Sequence, residues 1–300
     1  MTKNLHTVWL DSVDSTNSEA LRRLPSLPSG MVLAAVEQTA GRGQRGNTWF
    51  SEPGKNLTFS VVLKSLDLPA AEAFRLNCLC SVAVSDFLAS YGVSSLIKWP
   101  NDIYAGGRKI CGMLLENGLV DGLVAYSVMG IGINVNQTEF PQLANATSMV
   151  LAARPEEATP SVAKKKADAP SGAPPSGPTA TLDLVHFHPL DQVHRMCPPG
   201  SSRAEVLDQV QPLELDLVHC LDVFLEKLQA LLPQLRSAEL FREYERRLYR
   251  LGISARYRDL LKDEDFDGII RGVDPDGRLR IEDAAGEIRR YYFKEVSYIL

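Results

Sequence analysis

The chain has 300 residues, a formal net charge of −5 and 45% hydrophobic residues. That length allows one or two domains around a sizeable core, and the acidic balance argues against a general nucleic-acid binder, leaving room only for local basic patches. Cys78 and Cys80 lie in an apolar helical run and Cys111 in another apolar run, so the thiols are expected to be buried and reduced, in a cytoplasmic protein. No basic segment followed by an apolar run opens the chain, and no apolar run reaches about 18 residues, so neither a secretory signal nor a membrane span is expected.

Residues 5–10 read as a short strand. Asp14, Ser15 or Thr16 then stands where a cap belongs for a helix over Asn17–Leu24, with Glu19 in its first turn. Capping alone accounts for the Ser15-Thr16-Asn17 cluster, although a helix start crowded with short polar groups also suits a small polar ligand head. Met31–Val36 and Leu57–Leu63 read as strands on either side of a glycine- and arginine-rich loop. Backbone N–H groups and guanidinium charge in such a loop suit an anion. Gly41, Gly43 and Gly46 match G-x-G-x-x-G, but the helix that must follow that motif is replaced by Asn47–Asn56, which contains Pro53 and Gly54. Gly41 and Gly46 also have P-loop spacing, yet Asn47 and Thr48 stand where Lys and Ser or Thr are required. The plain alternative is a solvated hairpin loop.

Ala70–Tyr91 carries the apolar spacing of a buried helix, ended by Gly92. Leu96–Trp99, Ile103–Tyr104 and Lys109–Glu116 read as short strands around the tight turn Ala105-Gly106-Gly107. This hairpin gathers Lys98, Asn101, Asp102, Arg108 and Lys109 within twelve residues. The cations can offset phosphate charge, and Asn101 and Asp102 offer oxygens suited to Mg²⁺. A salt-bridged surface hairpin would look the same. Leu123–Val135 is a nearly continuous apolar strand in which Gly130 and Gly132 mark a bulge or a close approach, and Asn134 and Asn136 close it with amides able to read a base edge.

Residues 152–212 break the pattern. Ten of the 18 prolines fall there, with three lysines at 164–166, the composition of a disordered or loosely held insertion. His186, His188, His194 and Cys197 do not fall into a metal-ligand spacing. Leu213–Leu232 and Glu239–Leu251 read as two helices interrupted by Pro233, and short strands with a turn at Asp274–Gly277 suggest a small β-barrel from Gly252 onward.

Five segments together resemble the biotin–protein ligase family, in the family's order and spacing: DSTN at 14–17, EQTAGRGQRGNTWFS at 37–51, KWPNDIY at 98–104, RKICGMLLE at 108–116 and GIGINVN at 130–136. The likeness covers residues 1–151 and 213–300, and it is to the monofunctional type, with only thirteen residues before Asp14 and no N-terminal DNA-binding domain. It implies an α/β (α+β) fold: a mixed-sheet catalytic domain of the class II synthetase and biotin ligase type over 1–251, then an SH3-like barrel over 252–300. It implies ATP-dependent activation of biotin to biotinoyl-5′-AMP, with Mg²⁺, and transfer to a lysine of a biotin carboxyl carrier protein. By the same resemblance Ser15, Thr16, Asn17, Gln38, Arg42, Gly43, Gln44 and Lys109 bind biotin. Lys109, Arg42 and Arg45 carry catalysis, Trp49, Lys98, Asn101 and Asn134 bind ATP, and Asn101 and Asp102 sit near the metal. No DNA or membrane partner is expected, and the chain is expected to be a monomer or a homodimer.

Overall fold

The alternation of apolar and polar residues sets which faces of the chain are covered. Asn56–Lys64 shows no alternation, and this strand is buried along eight of its nine residues. In the computed structural model, which describes residues 5–141, 143, 145–153 and 214–299, that strand is the third of a seven-stranded sheet. The strands are β1 (His6–Val13), β2 (Met31–Gln38), β3 (Asn56–Lys64), β4 (Leu96–Lys98), β5 (Asp102–Ala105), β6 (Arg108–Val120) and β7 (Leu123–Asn134), ordered β1-β2-β3-β7-β6-β5-β4. β1 and β2 pair in parallel and every other neighbour is antiparallel.

Both faces of the sheet are covered. The helices α2 (Phe74–Ser90) and α4 (Leu217–Leu231) build the main core, where Phe59 of β3 meets Phe224 at 5.1 Å between ring centroids. On the other side α1 (Thr16–Arg22) closes a smaller cluster of Ala20, Leu27, Leu33, Val62 and Val128. A strand covered on both faces must be apolar throughout, which is why β3 lacks a period of two. Among the described residues the stretch Ala70–Ser90 is, against the sequence expectation, long and apolar enough to cross a membrane, but 67% of its apolar window is buried inside the fold. Its apolar run serves the core. Cys78, Cys80, Cys111 and Cys220 are free and buried, and burial pushes the Cys80 thiol up to about 12.

The helix α3 (Met149–Ala152) follows β7, and Val150 N donates to Val135 O at 3.1 Å. The chain is described again from Glu214, and Leu215 is clamped at once. Its N–H donates to Asn136 Oδ1 at 2.9 Å, and Asn136 Nδ2 donates to its carbonyl at 2.8 Å. Asn136 therefore closes the fold and does not offer its amide to a base. The proline-rich stretch and the residues His186, His188, His194 and Cys197 lie outside the described residues. Met1–Arg154 and Glu214–Leu300 form one compact unit.

After α4 and α5 (Ala238–Arg246), residues 247–249 run along the free edge of β4: Ile97 N donates to Arg247 O at 2.7 Å and Tyr249 N to Ile97 O at 2.8 Å. The chain then forms an SH3-like antiparallel sheet of β8 (Ser254–Asp259), β9 (Glu264–Val273), β10 (Leu279–Asp283), β11 (Ile288–Tyr291) and β12 (Val296–Tyr298), ordered β11-β10-β9-β8-β12. Three contacts dock this sheet and α5 against the β4–β5 turn. Trp99 Nε1 donates to Gly277 O at 2.9 Å, the buried Tyr244 hydroxyl donates to Pro100 O at 3.0 Å, and the Trp99 and Phe293 rings meet edge-on at 6.3 Å.

Candidate active site

A cleft of about 340 Å³ opens at the ends of β2, β5, β6 and β7. The start of α1, the loop between β2 and β3 and the C-terminal sheet complete its walls. Each wall has a local reason for its shape.

The start of α1 is held from outside the helix. Ser15 is the cap residue but makes no side-chain capping bond. Instead Gln38 Oε1, from the end of β2, accepts from Thr16 N at 2.8 Å and from Thr16 Oγ1 at 3.2 Å. Asp14 accepts from Ser15 N at 2.7 Å and pairs with Arg22, whose guanidinium holds the Asp14 carboxyl down to about 2. Local capping is thus not what Ser15, Thr16 and Asn17 do, although they are almost wholly buried. Asn17 Nδ2 donates to Leu114 O at 3.1 Å and to Glu116 Oε2 at 2.9 Å, and the Ser60 hydroxyl is 2.6 Å from Asn17 Oδ1 and 2.8 Å from Thr16 Oγ1. Buried polar groups tied this fully form a rigid surface, because leaving any one unpaired is costly.

The loop between β2 and β3 is itself a small folded unit. Arg42 and Thr48 form an antiparallel bridge, Gln44–Gly46 makes a 3₁₀ turn, and Trp49 N donates to Gly41 O at 2.9 Å. A side chain at Gly41 would collide with the Trp49 carbonyl oxygen, so this crossing requires glycine. Glu116 of β6 latches the loop. Its two oxygens accept from Arg42 Nη2 at 2.8 Å and Nη1 at 3.2 Å, while Asn17 shares the second oxygen. The side chain of Arg45 lies outside the described ones.

The floor is the register pair Gly112 and Gly132 of β6 and β7. The indole of Trp49 lies across it: a Cβ on Gly132 would stand 2.6 Å from Trp49 Cζ2, and one on Gly112 3.0 Å from Cζ3. A Cβ on Gly130 would enter the Asn17 amide, 2.7 Å from its Cγ. The close approach signalled by these glycines is made by two side chains of the site itself.

The cations gather opposite. Lys109 Nζ lies 2.7 Å from Asp102 Oδ1 and 5.9 Å from the Trp49 ring centroid. Its backbone is fixed on both sides, N–H to Asn145 O and carbonyl to Thr147 N, each at 2.9 Å. Lys98 donates to Tyr104 Oη at 3.1 Å and sits over the rings of Tyr104 and Tyr298, at 4.9 and 5.1 Å, without an ion pair among the described residues. Burial pushes its pKa below the usual lysine range; Asp102 opposes that shift and Lys109 adds to it.

The structure therefore brings Ser15, Thr16, Asn17, Gln38, Arg42, Gly43, Gln44, Trp49, Lys98, Asn101, Asp102 and Lys109 to one cleft. Asn134 is not among its walls. It is buried at the end of β7, where its Nδ2 donates to Thr147 O at 2.9 Å and holds the segment that fixes Lys109. The sequence motifs passed over Glu116, Ser60 and the C-terminal wall, although Glu116 ends a segment whose spacing was informative. For Mg²⁺ the cleft offers the Asp102 carboxylate, one oxygen of which faces Lys109, and the Asn101 carboxamide, whose Nδ2 is committed to Met113 O. No group of three His, Cys, Asp or Glu side chains able to hold a metal alone occurs among the described residues. The set fits an ion that keeps its waters and arrives on phosphates.

Residues 9–134 match the biotin/lipoate A/B protein ligase family, and residues 259–297 match the biotin protein ligase C-terminal domain. A biotin–[acetyl-CoA-carboxylase] ligase of Paracoccus denitrificans is 39% identical over 130 residues, which are 42% of this chain and 53% of that protein. The bifunctional ligase/repressor BirA of Escherichia coli (strain K12) is 39% identical over 127 residues, 42% of this chain and 39% of that protein. The chain thus spans about half the length, or less, of the curated relatives it matches. A solved biotin protein ligase from Aquifex aeolicus, in complex with biotin and ATP, superposes with a TM-score of 0.64 at 22% identity over 98% of each chain. That likeness is one of fold.

Proposed function

We propose that this chain, whose residues 9–134 match the biotin/lipoate A/B protein ligase family and whose residues 259–297 match the biotin protein ligase C-terminal domain, is a biotin–protein ligase. Residues 1–251 carry the chemistry and 252–300 a second domain. In the first step a biotin carboxylate oxygen bonds to the α-phosphorus of ATP, and the bond from that phosphorus to the bridging oxygen breaks, releasing pyrophosphate. In the second, an unprotonated lysine amine of a biotin carboxyl carrier protein attacks the acyl carbon of biotinoyl-5′-AMP. AMP leaves, and the amine gives up its remaining extra proton.

The observation that carries this reading is the meeting of a rigid polar pocket and a cationic wall in one cleft. The network of Thr16, Asn17, Gln38 and Ser60 suits the polar ring of biotin, while Lys109 and Arg42 suit the reacting carboxylate and phosphate. Bringing two anions together is the barrier to the first step, and fixed cations lower it without reorganising. Lys109 is the main such group in this reading, because its backbone is held at both amide and carbonyl. Arg42, Arg45, Gly43 and Gln44 close over the adenylate and keep water from it. Trp49 supplies an aromatic surface for the base, with Lys98 and Asn101 at the phosphates. Asp102 and Asn101 would hold Mg²⁺ brought by ATP, an ion that supplies charge neutralisation at the leaving pyrophosphate.

The test is incubation of the full chain with ATP, Mg²⁺ and a carrier domain, with either biotin or lipoate. Pyrophosphate release and the biotinoyl mass increment on one carrier lysine are expected with biotin. Release with lipoate alone would overturn the reading.

A further inference from the structure

The C-terminal sheet walls the cleft with Leu260, Phe293, Lys294, Val296, Ser297 and Tyr298. Only Lys294 among them carries a charge. It sits in a turn closed twice, by Glu295 N donating to Tyr292 O at 3.0 Å and by Tyr292 N donating to Glu295 Oε2 at 2.7 Å. Its φ is 68°, in the left-handed region where a Cβ crowds the backbone and glycine fits freely. The chain places a long cationic side chain where the turn by itself favours glycine.

Charge compensation in the cleft is uneven. Arg42 is engaged by Glu116 and Lys109 by Asp102, whereas Lys98 and Lys294 make no ion pair among the described residues. Both line the same cleft, and Trp99, next to Lys98, packs edge-on against Phe293, next to Lys294. Of the proposed substrates, the triphosphate bears the most negative charge, and it is drawn to cations not already neutralised.

We infer that Lys294 is a phosphate-binding residue which, with Lys98, holds the β- and γ-phosphates of ATP and the departing pyrophosphate, so that the leaving group exits along the C-terminal wall. This rests on the biotin and ATP reading above. It also gives the C-terminal sheet a part in the first step.

Two variants of the full chain test it. Lys294→Gly removes the charge and relieves the backbone, and Lys294→Arg keeps the charge. For Lys294→Gly the KM for ATP and the inhibition constant of added pyrophosphate are each expected to rise about tenfold, the loss of one charged contact. The KM for biotin should stay within about twofold, because the charged contact removed is one to phosphate, and Tm should hold or rise. Lys294→Arg should track the wild type. An unmoved KM for ATP in Lys294→Gly, or equal rises for ATP and biotin, overturns the inference while leaving the ligase reading intact. A wild-type chain that releases no pyrophosphate with biotin overturns both.

Discussion

Lys109 shows how a charged side chain is positioned without being part of the core. Its side chain is about one-third exposed and its one ion pair, to Asp102, is of the partly solvated kind worth less than about 1 kcal/mol. Lys109→Ala should therefore leave Tm nearly unchanged while pyrophosphate release falls about 100- to 1,000-fold, the effect of removing one fixed group that stabilises developing charge. Turnover near wild type would remove it from its assigned role. Lys98 makes a pH argument. Burial holds its pKa below the usual lysine range, so it loses its charge at lower pH than an exposed lysine does. Phosphate transfer that depends on that charge weakens as pH rises through the folded-state value. Stability moves the other way, because the cost of burying the charged form is relieved over the same rise. The alkaline limb of kcat/KM for ATP should shift upward in Lys98→Arg, and an unshifted limb would assign it to another group. Gly132→Ala tests the floor. The added methyl would overlap Cε2, Cζ2 and Nε1 of the Trp49 indole, so the ring must leave the Gly112–Gly132 pair. The expected result is a changed tryptophan emission maximum together with a several-fold higher KM for ATP, in the range a displaced stacking group costs.

At the scale of elements, the site depends on how the β4–β5 turn is docked. Tyr244 is fully buried, and its hydroxyl reaches Pro100 O across from α5. Tyr244→Phe leaves that carbonyl without its partner and should lower stability by about 1–2 kcal/mol, read by urea unfolding. A change under a few tenths of that would mean that another group takes up the carbonyl. The same elements show what sequence could and could not say. Strands such as Met31–Val36 and Leu57–Leu63 were legible because apolar runs bounded by turn residues have few other solutions, and their observed ends lie within two residues. The residues at Thr16, Gln38, Arg42, Trp49 and Lys109 stood out because several polar and glycine patterns recurred in a familiar order. Glu116 and Ser60 did not. Each is one polar residue in an apolar strand, and its meaning lies in partners far away in the sequence, Glu116 with Arg42 and Asn17, Ser60 with Thr16. Asn134 and Asn136 are ambiguous in sequence for the same reason, since an amide at a strand end reads alike whether it faces a ligand or ties down a neighbouring segment.

Over the whole molecule, the described core closes without residues 155–210. Every strand of the seven-stranded sheet lies before them, and α4 completes the packing after them. Removing them should leave Tm within a few degrees and adenylation intact, since shortening a connection changes its closure entropy only by about 0.6 kcal/mol per halving. Loss of both would make the segment structural. The described residues before and after that stretch also bond to consecutive residues just past β7, Val150 to Val135 and Leu215 to Asn136. A chain whose departure and return share one anchorage does not need continuity there. Residues 1–154 and 211–300, expressed as separate polypeptides, should reassemble through the Phe59–Phe224 contact and the Asn136 clamp into an active pair. The cleft would then work as a split enzyme, its biotin pocket on one polypeptide and Lys294 on the other.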